Sequence, residues 1–188
     1  LATDHGGINI YDEHKNQFIA IKHDPYDAAS IINNNPRHIF EDKEGNFWIS
    51  AFPFGINLLH TQSTQFSHLK PRLGHADSLS HASILTFVPS DSNTLWIGTE
   101  NGLNLLDLTT GRNQQYTALP GTPGKLQFGS VLAIAEQNPN ETWIGTWSGG
   151  LHKLDKRTGI FTHYPAGPKD NQPNSNYIWD LFFDGPYL

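Results

Sequence analysis

Ten histidines and eighteen acidic residues are the side chains of this 188-residue chain best suited to metal binding or acid–base chemistry. A metal site on one element would need spacings such as H-x-x-x-H or H-E-x-x-H, and neither occurs. His5, His38, His60, His75 and His163 stand at unrelated positions, so no metal and no cofactor is expected. Two carboxyls flanking a cleft would suit glycoside hydrolysis. Here Asp12, Asp107 and Asp155 recur at one position of a repeating pattern, as turn chemistry requires and a unique active site does not. Glu41, Asp42 and Glu44 form an acidic run that reads as a solvated turn. There is no cysteine, G-x-S-x-G elbow, P-loop or kinase signature, and "SGG" at 148–150 reads as a turn. No catalytic residues are assigned, and the chain is expected not to be an enzyme.

The elements that position these side chains follow from composition and repetition. Hydrophobic residues make up 37% and charged residues 16%, with 17 Gly and 12 Pro, which favours short strands joined by many turns. The net charge of -6, with no basic cluster, excludes the usual footprint of a nucleic-acid binder. No run approaches the roughly 18 apolar residues of a membrane-spanning helix, so no membrane contact is expected of these residues.

Trp48, Trp96 and Trp143 are spaced by 48 and 47 residues, each followed by Ile, a small residue, and then Gly with an aliphatic: Gly55-Ile56, Gly102-Leu103, Gly150-Leu151. "LATDHGGINIYD" fits the same frame with Leu1 at the Ile position. Each unit reads as four strands. An apolar run ("HIF", "ILTFV", "VLAIA", "IWDLFF") is innermost strand A, "FWIS", "LWIG" or "TWIG" is B, and "GINLLH", "GLNLLD" or "GLHKLD" is C. Strand D carries Phe18, Phe66, Tyr116, Phe161 and Tyr164. Four meandering strands repeated every 47 residues predict an all-β fold, a β-propeller segment of four-stranded antiparallel blades, part of a larger propeller. The expected units are 1–35, 36–81, 82–128 and 129–175, with 176–184 beginning the next blade, all within a single domain. A chain that starts without Met and inside a unit is expected to be a piece of a longer protein.

The units "EDKEGNFWIS…GINLL", "LWIGTENGLNLLDLTTG" and "WIGTWSGGLHKLDKRTGIFTHY" resemble the two-component regulator propeller repeat. That resemblance implies the extracytoplasmic, periplasmic sensor region of an inner-membrane protein, a bacterial hybrid histidine kinase or a GGDEF diguanylate cyclase. It also implies seven-bladed propellers, often in tandem, adjoined by an immunoglobulin-like domain, with oligosaccharides as ligands of several members.

Antiparallel strands send the B–C and D–A loops to one face and the A–B and C–D turns to the other. The A–B and C–D turns are repetitive scaffold, whereas the B–C loops differ from unit to unit: Asp4-His5, Phe52-Pro53-Phe54, Glu100-Asn101 and Trp147-Ser148. Asp4, His5, Phe52, Phe54, Glu100, Asn101 and Trp147 are therefore the candidate ligand-binding residues, with Tyr26, His75, Phe128 and Asn176 of the D–A loops on the same rim. Aromatic faces beside carboxylates and amides suit an oligosaccharide or other small ligand, or a peptide. The same aromatics would alternatively pack under the D–A loops. The repeated Trp48, Trp96 and Trp143 read as packing wedges. Two further readings of function stand beside the sensor: a structural or homodimerisation module without small ligand, and a propeller glycosidase or lyase.

Overall fold

The computed structural model describes residues 1–170 and 172–188. Asn171, inside the expected loop 166–176, lies outside them. The described elements are all strands, in four antiparallel sheets. β1 (Ala2–Thr3), β2 (Gly7–Asp12) and β3 (Gln17–Ile21) form a three-stranded sheet. β4 (Pro36–Glu41), β5 (Phe47–Ala51), β6 (Ile56–Leu59) and β7 (Phe66–Leu69) form the second, in that order. β8 (Ile84–Pro89) to β11 (Asn113–Tyr116), with β9 (Thr94–Thr99) and β10 (Gly102–Asp107) between them, form the third. β12 (Val131–Asn138), β13 (Glu141–Thr146), β14 (Gly150–Asp155) and β15 (Ile160–Tyr164) form the fourth. The meander in every sheet is that of a propeller blade, and the fold is an all-β propeller segment.

Local chemistry explains the hairpins. In the C–D turns one carboxylate oxygen accepts two consecutive backbone N–H groups: Asp12 from His14 and Lys15, Asp107 from Thr109 and Thr110, and Asp155 from Arg157 and Thr158. The following residues Asn16, Gly111 and Gly159 take φ of 51°, 69° and 70°, the left-handed conformation that closes each turn. The small residue after the B-strand isoleucine is explained by crowding: a Cβ on Gly98 would come within 2.6 Å of the Val131 carbonyl oxygen of the next blade's inner strand.

The blades are joined by a repeated latch. The N–H of the first C-strand glycine donates to the loop entering the next blade: Gly7 to Asn34 (3.1 Å), Gly55 to Ala82 (2.9 Å), Gly102 to Gly129 (2.7 Å) and Gly150 to Asn176 (2.8 Å). Two residues later, in the second, third and fourth units, a buried polar side chain ties the C strand to the loop that arrives from the preceding blade. Asn57 accepts from Ile32 N–H, Asn104 from Ser80 N–H and His152 from Gln127 N–H.

Trp48 and Trp96 are buried between sheets, amid Leu58, Ile84, Ile97 and Leu106 in the first case and Val131, Ile144 and Leu154 in the second. They are wedges of the kind the repeat implied. Trp143 is only half-buried, stacked on Tyr164 at 5.5 Å with Lys153 over its ring.

Two expectations are corrected. Asp42 is not solvated: it is buried and accepts the Trp48 indole N–H (2.9 Å), the Asn46 amide and the backbone N–H groups of Glu44 and Asn46. A tryptophan six residues downstream turns an acidic run into an internal hydrogen-bond acceptor. The apolar run 178–183 forms no strand. Gly150 and Thr146 hold Asn176 and Ile178 against the fourth sheet by backbone hydrogen bonds, but a strand exists by pairing, and no described residue supplies its outward neighbour.

Candidate ligand-binding face

The B–C loops share one face because the latch glycines lie at their ends and bond to the D–A loops. Side chains of the D–A loops then bridge one B–C loop to the next. His5 N–H donates to Asn35 Oδ1 (3.0 Å), Asn35 N–H to Asn33 Oδ1 (3.1 Å), and Asn33 Nδ2 to the Phe52 carbonyl (2.7 Å). His5 and Phe52 are therefore linked across the first two blades by two asparagines, Asn35 and Asn33. Ser130 does the same between the third and fourth blades. Its hydroxyl donates to the Glu100 carbonyl (3.3 Å) and its carbonyl accepts the Trp147 N–H (2.9 Å). Between these two groups, Gly55 bonds to Ala82, and Ser83, its neighbour, accepts from the Glu100 N–H (3.1 Å).

The seven sequence candidates thus lie along one rim, in two linked groups rather than in one pocket. Asp4 and His5 are exposed and 3.0 Å apart, a contact of little energetic weight in water. Phe52 is half-buried under the Arg37 guanidinium, 4.0 Å above its ring, while Phe54 is exposed. Glu100 and Asn101 are exposed, with His81 Nδ1 3.7 Å from the Glu100 carboxylate. His5 and Ser148 occupy the same place in their loops and both take left-handed φ, 58° and 67°, which is uncommon for residues other than glycine.

Trp147 has neighbours the sequence did not announce. Its ring meets Tyr177 edge-on at 5.3 Å and Trp179 edge-on at 5.0 Å, and the three are 46%, 51% and 65% exposed. The alternating spacing of Tyr177 and Trp179 was the available signal, since residues two apart in an extended segment share a side. Of the other rim residues, Tyr26 is fully exposed and Phe128 is pressed against Gly149 and His163. Asn176 serves the backbone, its side chain accepting from Ala166 N–H (2.7 Å). Among the described residues, no group of three or more His, Asp or Glu is placed to hold a metal ion.

Stacked blades, a scaffold face of capped turns and an opposite rim of unlike loops define a propeller segment. Residues 30–52, the end of the first D–A loop with β4 and β5, match the family model of the two component regulator propeller, bearing out the resemblance read from the repeats. Solved structures share the fold. One is described as the extracellular domain of the hybrid two component system BT4673 from B. thetaiotaomicron: TM-score 0.73, 17% identity, covering 97% of this chain and 23% of that one. Another is described as the extracellular domain of the hybrid two component system BT3049 of the same organism: TM-score 0.56, 20% identity, covering 97% and 29%. A third is PorZ, a surface component of the type-IX secretion system of Porphyromonas gingivalis: TM-score 0.58, 17% identity, covering 86% and 24%. The chain spans about a quarter of the length of each, and at these identities the likeness is one of fold. No curated protein matches the chain by sequence.

Proposed function

We propose that this propeller segment is a non-catalytic, ligand-sensing part of the extracytoplasmic region of a bacterial membrane-anchored signalling protein, and that its ligand is a glycan. The observation that carries the reading is the exposed Trp147 of the fourth B–C loop, tied through Ser130 to the B–C loop that presents the exposed Glu100 and Asn101. Sugars present a C–H face that stacks on aromatic rings and hydroxyls that pair with carboxylates and amides. The fold shared with extracellular domains of two component systems supports the extracytoplasmic location and the sensory role. Signal would pass to a kinase or diguanylate cyclase module in the same protein only if the ligand bound two arrangements of the propeller unequally.

A panel of oligosaccharides screened by thermal shift and calorimetry tests the proposal. A saturable rise in melting temperature, lost in Trp147→Ala and in Tyr177→Ala with the circular dichroism spectrum unchanged, is the expected result. Binding that survives both substitutions, or release of reducing ends by the purified chain, would overturn it.

A further inference from the structure

We propose that the cleft between the second and third sheets binds a small aryl carboxylate, a benzene ring carrying one carboxylate on a short stem. The cleft has a volume of about 310 Å³, room for such a molecule, and both sheets beside it have all four strands.

The repeat shows why a ring suits it. In the second and fourth blades the D strand places a buried phenylalanine opposite a C-strand leucine, Phe66 opposite Leu59 and Phe161 opposite Leu154. Each ring belongs to a cluster with a D-strand residue of the preceding blade and a residue of the loop arriving from it. These are Ile21 and Ile31 for Phe66, and Tyr116 and Leu126 for Phe161. In the third blade the same position, opposite Leu106, is Asn113.

The rest of the set is kept, and Leu69, Leu79, Leu106 and Asn113 line the cleft. Register fixes the equivalence. Leu69 pairs with Ile56 as Ile21 pairs with Ile8 and Tyr116 with Leu103. Leu79 precedes the N–H that bonds to Asn104, as Ile31 and Leu126 precede those that bond to Asn57 and His152. The surroundings of a phenyl ring are thus present between the second and third blades, while the sequence supplies no ring at that position.

Packing does not account for the asparagine. Its amide donates to the Ser78 carbonyl and to Asn104 Oδ1 (3.0 Å), but its own Oδ1 is buried with no partner among the described residues, which costs free energy. Lys70, Arg72 and Asp77 line the same cleft. Arg72 and Asp77 pair at 3.5 Å, which leaves Lys70 as the surplus charge. Apolar walls shaped for a ring and one surplus cation select a ring with a single negative charge. None of these residues belongs to the candidate ligand-binding face, so this ligand is distinct from the glycan.

The probe is 4-fluorophenylacetate, titrated with the chain and followed by 19F NMR, with 4-fluorophenylacetamide as its uncharged analogue. The expected result is a saturable shift of the acid at millimolar or lower concentration, with the amide bound about threefold more weakly. Asn113→Phe fills the cleft with the ring that two other blades carry, and should abolish the shift with the circular dichroism spectrum unchanged. Lys70→Gln, at an exposed position, should weaken the acid by about threefold and leave the amide as it was. No saturable shift of the acid, equal binding of acid and amide, or undiminished binding of the acid to a folded Asn113→Phe chain would overturn the proposal. Should Asn113→Phe fail to fold, Lys70→Gln decides, because unchanged affinity for the acid there overturns it as well.

Discussion

The imidazole of His152 lies flat on that of His163, ring centres 4.4 Å apart and planes 12° from parallel. It does so at the C-strand position where the other units carry Asn9, Asn57 and Asn104. His152 is fully buried, Nε2 accepts the Gln127 N–H at 3.4 Å, and Nδ1 has no partner among the described residues. Burial, with the nearby His163 adding to it, pushes the pKa of His152 down to about 3.

That displacement makes the fold acid-sensitive. The unfolded chain binds a proton at this residue near 6.5, the folded chain near 3, so stability is full above the first value and falls as pH drops through the interval. Burial likewise lowers His38, partly offset by its bond to the Leu85 carbonyl, and adds to the same trend. His152→Asn restores the residue of the other units and should remove about 2 kcal/mol of the stability loss between roughly pH 7.5 and 5. Urea denaturation of both proteins at the two pH values measures it.

Asp42→Ala should cost about 3 kcal/mol, because the Trp48 indole and the Asn46 amide would lose their acceptor inside the protein. Burial alone would raise the Asp42 pKa, but the bonds from Trp48, Asn46 and Glu44 together outweigh it and hold the carboxyl below its usual range. Its contribution is therefore present above the ordinary carboxylate range and is lost as pH falls through the folded value. A double-mutant cycle with Trp48→Phe should give a coupling of about 1 kcal/mol or more.

Glu136 receives the Trp96 indole (2.5 Å), the Ser90 hydroxyl (2.7 Å) and the Lys156 ammonium (2.7 Å) on one oxygen, joining the third and fourth blades. Glu136→Ala is expected to lower unfolding free energy by about 3 kcal/mol. Both charges are largely shielded, at 17% and 19% side-chain exposure, so added salt should change that loss little. Denaturant titrations at low and high salt supply the comparison.

Gly102 and Gly111 both take positive φ, 118° and 69°, yet they differ in what surrounds them. A Cβ at Gly102 would lie 2.6 Å from the Tyr116 carbonyl oxygen, whereas nothing lies within 4 Å at Gly111. Gly111→Ala should cost about 1 kcal/mol of backbone strain, and Gly102→Ala about 3 kcal/mol or more, because the latch to Gly129 must also shift. Melting temperatures of the two variants, read side by side, check the order.

The period, the four-strand unit and the turns are all legible in the order of residues. Hydrophobic runs, aspartate caps and left-handed glycines act within a few residues, so Asp107 with Gly111 or Asp155 with Gly159 could be read from letters alone. The unlike B–C loops are legible too, because repetition makes difference visible.

Which groups meet between blades follows from the stacking of the sheets and is not written in any one repeat. Ser130 between Glu100 and Trp147, Glu136 under Trp96, and Asn33 and Asn35 between His5 and Phe52 all join residues far apart in the chain. Such contacts depend on how neighbouring sheets stack, and stacking has no local signature. The partners of Trp147 show the reason most plainly. Tyr177 and Trp179 belong to a segment that reads as an inner strand, and their rings meet edge-on the B–C loop tryptophan of the preceding unit, a contact across two units that no local pattern records.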